Sequence, residues 1–323
     1  MPHLVENQTN SYKWLIEKGL ADIFKEFSPI KDYSEKKFAL EFTSFDLSAP
    51  KYDEFYAKEN KLTYEAPLRA KVKLTNRILG SSKEQEIFIA DFPLMTSHGT
   101  FIINGVERVV VPQLARSFGV FFDSEEIKGR KYFGAKIIPA RGVWVEIGSE
   151  ADGQIVVRID KKRKFGIVSL LRAFAMGTDE QILASFTNEK TQKVIAECLA
   201  HEATKTLSES YIDIYKRLRD GDLATPENAK EYIDALFSEA RYDFSLVGRH
   251  RFNKRFGKPL EGKEVERKVL SKDDLVAIID NIVELNSHPN AVEDDIDHMG
   301  SRRVRFVGEM MQQKIRVGMT QMK

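Results

Sequence analysis

The sequence predicts an α+β protein of two domains, because its patterns fall into three successive blocks of different character. The first block is rich in strands, the middle block begins with strands and turns helical, and the last block is a helix. At 323 residues the chain is longer than one ordinary hydrophobic core usually serves. A hydrophobic content of 42% and a charged content of 31% are typical of a folded protein rather than a disordered one.

The first block opens with a helix and continues as strands. Apolar residues recur at helical spacing over residues 11–27, and Pro29 ends that run. The turn Gly80-Ser81-Ser82 leads into a further strand at residues 84–89. Residues 101–111 are predicted as a hairpin around a central Asn-Gly, the strongest short turn signal. Alternation predicts two more strands, with apolar members at Phe38, Leu40 and Phe42, and at Leu68, Ala70, Val72 and Leu74.

The middle block begins with strands and then shows three helix starts. The strands are predicted at residues 135–138, 144–147 and 154–159. Thr178 is a candidate N-cap, Thr225-Pro226 places a cap before an N1 proline, and Ser271 with Asp274 forms a capping-box pattern.

The last block is predicted as a helix that begins near Arg302, with Ser301 as its cap. Its apolar face is marked by Val304, Val307, Met311, Ile315 and Gly318. The pattern runs to Lys323 without a glycine cap or a proline. This predicts that the sequence is the N-terminal piece of a longer protein.

Charge is balanced overall and uneven locally. Lys+Arg 50 against Asp+Glu 49 gives a net charge of +1, whereas a stand-alone nucleic-acid-binding protein is usually more basic. The run RIDKKRK at 158–164 has five cations and one anion, and RHRFNKRFGK at 249–258 has five cations and no anion. Each run is either a solvated face or a nucleic-acid contact.

Cysteine usage and the absence of targeting signals predict a cytoplasmic protein. Cys198, the single cysteine, falls in a helical run over residues 191–207 and permits no internal disulfide. The sequence does not start with the charged n-region and apolar h-region of a signal peptide, and it contains no apolar run of about 18 residues.

The richest candidate site is the run at 293–305, where four carboxylates, a turn and three arginines follow one another. Arginines bind phosphates and guanine edges, and a fixed carboxylate accepts from a base amino group. Two other interpretations stay open. Asp294, Asp295, Asp297 and His298 are candidate metal ligands, as in a metal-dependent phosphodiesterase. Asp294 and Asp295 are also suited to stabilising the N-terminus of the following helix.

The run at 293–305 closely resembles a segment of the bacterial RNA polymerase β subunit, and further motifs of that family follow its order along the chain. These are DFPLMT at 91–96, GTFIING at 99–105, ERV at 107–109, QL at 113–114, RS at 116–117, GVFFDS at 119–124, RG at 141–142 with Trp144, SEARYD at 238–243, and DDIDHMGSRRVR at 294–305. The resemblance implies a discontinuous, strand-rich protrusion domain at 1–115 and 300–323, with an inserted mixed α/β lobe domain at 116–299.

The resemblance also implies a nucleic-acid site. Arg116, Ile296, Asp297 and Arg302 match residues that hold a flipped guanine of the non-template strand. Trp144 matches an aromatic residue on which a neighbouring base stacks, whereas its alternating context alone is typical of a core tryptophan. From its position after a strand, Arg116 is equally suited to a surface ion pair. Asp160 and Lys162 match the same groove.

Two further contacts follow from the resemblance. Val111 and Gln113 match part of the rifamycin-binding wall, and Lys83 and Glu84 match a strand edge used by transcription-repair coupling factor and related proteins. Other implied partners are DNA, the β′, α and ω subunits and sigma factor.

The resulting interpretation is a segment of DNA-directed RNA polymerase, a nucleotidyltransferase, that forms one side of the downstream DNA cleft and holds the non-template strand. The segment is expected to contain no catalytic residue, metal or cofactor of its own, since in this family the Mg²⁺ ions belong to β′. The alternative is a protein-interaction module that binds transcription factors through the strand at Lys83 and Glu84.

Overall fold

The chain folds into two compact units, one of which is discontinuous in sequence. The computed structural model describes residues 3–32, 36–174 and 176–322. The discontinuous unit comprises Met1–Ala115 and Arg303–Lys323, and the central unit comprises Arg116–Arg302. The molecule is of mixed α and β structure, with several sheets and a C-terminal helix. This much of the predicted fold class is confirmed.

The discontinuous unit begins with one helical stretch and an antiparallel sheet. Its elements up to the unit boundary are α1 (Glu6–Trp14), a π-helical turn (Leu15–Gly19), α2 (Leu20–Phe27), β1 (Ile30–Lys31), β2 (Phe38–Leu47), α3 (Glu54–Glu59), β3 (Glu65–Asn76), β4 (Ser81–Pro93), β5 (Phe101–Ile103), β6 (Val106–Arg108) and β7 (Gln113–Arg116). The sheet order is β1-β2-β3-β4. The predicted helix and strands are confirmed, although the helix starts five residues earlier than predicted and α3 was not predicted.

The Asn-Gly hairpin is confirmed, and its geometry shows why glycine stands there. Asn104 and Gly105 have φ values of 52° and 77°, as the tight turn between β5 and β6 requires. A side chain at Gly105 would place its Cβ 2.6 Å from the Cα of Lys61. The predicted second strand is shorter than expected, because β6 ends at Arg108.

The central unit packs a five-stranded antiparallel sheet against helices. Its elements are β8 (Gly119–Ile127), β9 (Arg130–Ile138), β10 (Val145–Ser149), β11 (Ile155–Ile159), β12 (Phe165–Gly166), α4 (Ile167–Ala173), α5 (Asp179–Ala184), α6 (Glu189–His201), α7 (Leu207–Leu218), α8 (Pro226–Leu236), α9 (Ser245–Arg255), α10 (Lys263–Glu266), α11 (Lys272–Ser287) and a 3₁₀ turn (Met299–Ser301). The strand order is β12-β11-β10-β9-β8.

The two faces of this sheet differ in character. Ala135, Val145 and Val157 belong to the buried core that the sheet shares with the helices. On the opposite face Lys136, Glu146 and Arg158 lie side by side on neighbouring strands. This charged row leads to the candidate site.

The predicted helix starts in the central unit are confirmed. Thr178 and Ser271 form reciprocal capping boxes, and the hydroxyl of Thr225 accepts from the backbone N–H of Asn228. The single helical run predicted over residues 191–207 is wrong, because α6 ends at His201 and Thr206 caps α7. Cys198 is buried in α6, and this burial raises the pKa of its thiol.

The chain returns to the discontinuous unit as a strand, so the predicted helix start near Arg302 is wrong. β13 (Arg302–Arg305) pairs with β7, and α12 (Val307–Met322) follows it. Two arginines of β13 are held by α12: Arg303 donates to both carboxylate oxygens of Glu309, and Arg305 lies 3.4 Å from one of them. Ser301 belongs to the 3₁₀ turn and does not cap α12.

Among the described residues, no helix is both long enough and apolar enough to cross a membrane.

Candidate nucleic-acid interface

A polar pocket of about 410 Å³ lies within the central unit, and five of the predicted DNA-contacting residues line it. Its volume falls in the range of small-molecule sites. The pocket holds more cations than carboxylates, which favours an anionic ligand. The lining residues are Arg116, Trp144, Ile296, Asp297 and Arg302 from the prediction, together with Lys136, Glu146 and Lys161.

Trp144 is half-buried immediately before β10 and lines the pocket, so it is not a core tryptophan. Its carbonyl oxygen accepts from the N–H of Asp160 at 2.9 Å. The N–H of Lys162 donates to the carbonyl of Ile159 at 3.0 Å and closes a tight turn. Both central residues of this turn, Asp160 and Lys161, have positive φ values of 51° and 57°, which side chains other than glycine adopt uncommonly.

This turn places Lys161 in the pocket. Its Nζ lies 5.9 Å from the centroid of the Trp144 ring, within range of a cation–π interaction. Lys161 lies between Asp160 and Lys162, which were predicted as DNA contacts, and was not itself predicted as one. An Asp-Lys pair gives no turn signal of the Asn-Gly kind, so the sequence did not indicate which cation of the run at 158–164 would reach the pocket.

The loop that carries Ile296 and Asp297 is fixed to the edge strand β8. Asp294 and Phe122 exchange two hydrogen bonds of 2.8 Å, one through backbone atoms and one through the Asp294 carboxylate. Arg255 donates to the other oxygen of that carboxylate at 2.6 Å. Two basic residues of α9 therefore support the loop, because Arg251 also donates to the carbonyl of Gly300 at 2.7 Å.

Asp297 remains available at the pocket rim. Its side chain is 82% exposed and lies 3.9 Å from the guanidinium of Arg302, which is 37% exposed. A pair this long and this exposed holds its members weakly. Both groups can therefore reorient toward a ligand at little cost.

The other acidic residues of the run also have partners, and Glu293 accepts from the N–H and the hydroxyl of Ser124 on β8 at 3.2 and 2.9 Å. Asp295 accepts from the N–H groups of Asp297 and His298 at 2.9 and 3.0 Å, and His298 Nδ1 accepts from the N–H of Gly300. Across the part of the chain that the structure describes, no three His, Cys, Asp or Glu residues cluster as metal ligands. The phosphodiesterase interpretation requires such a cluster. The helix-terminus interpretation of Asp294 and Asp295 is wrong, because β13 and not a helix follows the 3₁₀ turn.

Two comparisons with known proteins bear on the family of this chain. The family model for RNA polymerase Rpb2, domain 2, matches residues 116–305, more than half of the chain and all the pocket residues. The chain belongs to the RNA polymerase β-subunit family. It is 39% identical over 324 residues to the DNA-directed RNA polymerase subunit beta of Syntrophomonas wolfei subsp. wolfei (strain DSM 2245B / Goettingen). That match covers all of this chain and 28% of the relative's length, so the chain spans about a quarter of that subunit.

The first basic run of this β-family chain forms a cleft next to the pocket. Lys162, Arg163 and Lys164 line this cleft and not the pocket, whereas Lys161 lines both. Asp160 contributes its backbone to the turn, and its side chain is exposed. The structure therefore brings five of the seven predicted DNA-binding residues into one pocket and places Lys162 in the adjoining cleft.

The second basic run is largely structural. Arg249 is fully buried, with its Nη1 2.8 Å from the Asp274 carboxylate, and Lys258 and Arg267 contact the other oxygen of that carboxylate at 3.2 and 2.9 Å. The Arg249 guanidinium also lies over the ring of Phe244. With Arg251 and Arg255 supporting the loop, four of the run's five cations stabilise the central unit.

The remaining predicted residues lie on the discontinuous unit. Val111 and Gln113 are exposed, Val111 just before β7 and Gln113 as its first residue. Lys83 and Glu84 are exposed on β4, which among the described residues pairs only with β3 and so forms a sheet edge.

Proposed function

We propose that the central unit holds an unpaired, flipped base of the non-template DNA strand, with guanine preferred, while RNA polymerase keeps the strands apart. The observation that carries this proposal is the convergence of Arg116, Trp144, Ile296, Asp297 and Arg302 on one pocket. These residues come from both ends of the unit and from the segment that leads into β10. A core or a solvated surface gives no reason for such a set to converge.

The chemistry of the pocket suits a guanine. The N1–H and N2–H groups of guanine can donate to a carboxylate such as that of Asp297, and Ile296 offers an apolar contact to the face of the base. Arg116 and Arg302 can bind the flanking phosphates. Trp144 offers its ring for stacking, with Lys161 near the ring face.

Trp144→Ala is expected to weaken binding of single-stranded DNA to the full chain by about 1–3 kcal/mol, or roughly 5- to 150-fold in Kd. Fluorescence anisotropy with a labelled oligonucleotide measures this change. Trp14→Ala is the matched control, because Trp14 is also partly exposed but belongs to the discontinuous unit. Equal Kd values for wild type and Trp144→Ala would reject the base pocket.

In the whole enzyme this chain would be one part of DNA-directed RNA polymerase, a nucleotidyltransferase. We assign the discontinuous unit as protrusion and the central unit as lobe, on one side of the downstream DNA cleft. Bond formation and its Mg²⁺ ions would belong to β′, with the α and ω subunits and sigma factor as further partners. Val111 and Gln113 would contribute to a rifamycin-binding wall.

A second function, strand addition by a protein partner, is favoured by the length and exposure of the β4 edge. The strand runs over Ser81–Pro93, and Phe88 on it is 58% exposed. A partner of the transcription-repair coupling type could add a strand there through Lys83 and Glu84.

Proline substitutions on β4 separate this function from folding. Successive N–H groups of a strand point in opposite directions. One of the two substitutions Lys83→Pro and Glu84→Pro therefore removes a donor that points away from β3, and the other removes a donor of the β3–β4 ladder. The outward substitution is expected to abolish partner capture while leaving the thermal midpoint and single-strand binding unchanged. Retained capture by both folded variants would argue against strand addition.

A further inference from the structure

The basic cleft beside the pocket extends to the end of α7, which is distant in sequence. Two adjoining cavities of about 640 and 620 Å³ share Lys161, Lys162, Arg163 and Arg217. Arg219 lines the first of them, and Arg158 and Lys164 line the second. The cleft therefore combines the turn between β11 and β12 with two arginines at the C-terminal end of α7.

The charge of this cleft is positive although the chain as a whole is nearly neutral. Seven cations and three carboxylates, Glu146, Asp220 and Asp222, line the two cavities, which leaves a surplus of four positive charges. Glu150 and Asp213 pair with cleft cations from outside, and including them still leaves a surplus of two. The whole chain carries +1. Positive charge concentrated in a concave surface attracts a polyanion.

Arg217 is held in place before any ligand binds. Its Nε donates to both carboxylate oxygens of Asp213 at 3.0 Å, and its Nη1 donates to the carbonyl of Lys164 at 2.5 Å. These contacts fix α7 to the chain segment that carries the basic run. An arginine already ordered in this way loses less entropy when it binds a phosphate.

The cleft is continuous with the base pocket, because Lys161 and Glu146 line both. We propose that Arg217 and Arg219 form a phosphate subsite for the backbone of the same single-stranded DNA whose base the pocket holds. This inference rests on the proposed function. Continuity with the pocket favours a nucleic-acid strand over an acidic protein segment.

The dependence of single-strand binding on salt tests the subsite. Each phosphate contact contributes about 0.7 to the slope of log K against log salt concentration for single strands. The double variant Arg217→Gln/Arg219→Gln of the full chain is therefore expected to lower the slope by about 1.4. The single variant Arg219→Gln is expected to lower it by about 0.7, and it leaves the Asp213–Arg217 contact intact.

The matched control is Lys190→Gln/Lys193→Gln, which removes the same charge from the exposed face of α6. An unchanged slope in the Arg219→Gln variant, or an equal loss in the α6 control, would overturn the subsite. Trp144→Ala distinguishes this failure from that of the proposed function, because it is expected to weaken binding at every salt concentration without changing the slope. If only Trp144→Ala has an effect, the pocket stands and the cleft binds something else, such as an acidic protein segment.

Discussion

Asp274→Ala is expected to destabilise the central unit by about 3–5 kcal/mol, which is a large part of the stability of a domain. The carboxylate is fully buried and contacts Arg249, Lys258 and Arg267. Its removal leaves the Arg249 guanidinium buried without its counter-charge. Arg249 would keep only the carbonyl oxygens of Arg267 and Val269 as described hydrogen-bond acceptors.

The substitution also damages a helix start. Asp274 accepts from the N–H of Ser271, while the Ser271 hydroxyl accepts from the N–H of Asp274. Asp273→Ala is the matched control, since Asp273 is the exposed neighbour in the same first turn of α11. Asp273→Ala is expected to lower the unfolding free energy by about 0.3–1 kcal/mol, because it removes a negative charge from the N-terminal end of the helix dipole.

Chemical denaturation followed by tryptophan fluorescence measures how each substitution changes the unfolding free energy of the central unit alone. The chain has two tryptophans, one in each unit, so a Trp14→Phe background leaves Trp144 as the reporter. An unfolding free energy within about 1 kcal/mol of the parent for Asp274→Ala would show that the buried cluster is not a main source of stability.

The same cluster predicts a dependence on acid. Burial alone raises the pKa of the Asp274 carboxyl, but the charges of Arg249 and Arg267 and the hydrogen bonds from Arg249 and Ser271 together lower the pKa below its usual value. Such a carboxyl contributes its full stability above the unfolded-state pKa of about 3.9 and loses it as pH falls through the lower folded-state pKa. The parent chain should therefore lose stability more steeply below about pH 4 than Asp274→Asn does.

Local signals in the sequence were sufficient where short-range chemistry determines structure. Thr178, Thr225 and Ser271 cap their helices as predicted, because capping depends on residues three or four positions apart. Asn104-Gly105 forms its turn for the same reason. Five pocket residues were identified from the family resemblance, since no local rule connects Arg116 with Asp297.

The errors arose where tertiary contacts determine the structure. Val304 continues the helical spacing of the last block, yet β13 forms there because pairing with β7 and the Arg303–Glu309 contact override that pattern. The second basic run gave no sign that Arg249 would be buried, because its partner Asp274 lies 25 positions away. Arg217 was missed for the same reason: its link to Lys164 exists only in the folded unit.

Asp297→Ala is expected to abolish the proposed preference of the pocket for guanine without unfolding the central unit. A carboxylate that accepts from a base edge contributes about 1–3 kcal/mol of discrimination, so the guanine-to-adenine affinity ratio should fall by roughly 5- to 150-fold. Stability should change little, because Asp297 is 82% exposed and its ion pair with Arg302 is 3.9 Å long. The measurement is the Kd of the full chain for oligonucleotides that differ at one position.

Lys162→Ala is the comparison that separates base recognition from backbone attraction. Lys162 lines the cleft and not the pocket, so its loss should weaken binding to all four bases alike and lower the salt slope by about 0.7. Asp297→Ala should instead leave the salt slope unchanged. It should not lower the affinity for the other three bases, since it removes a negative charge from the pocket that is proposed to hold the DNA strand. If the two substitutions alter the four affinities in the same proportion, Asp297 does not read the base, and the pocket binds the strand through stacking and phosphate contacts alone.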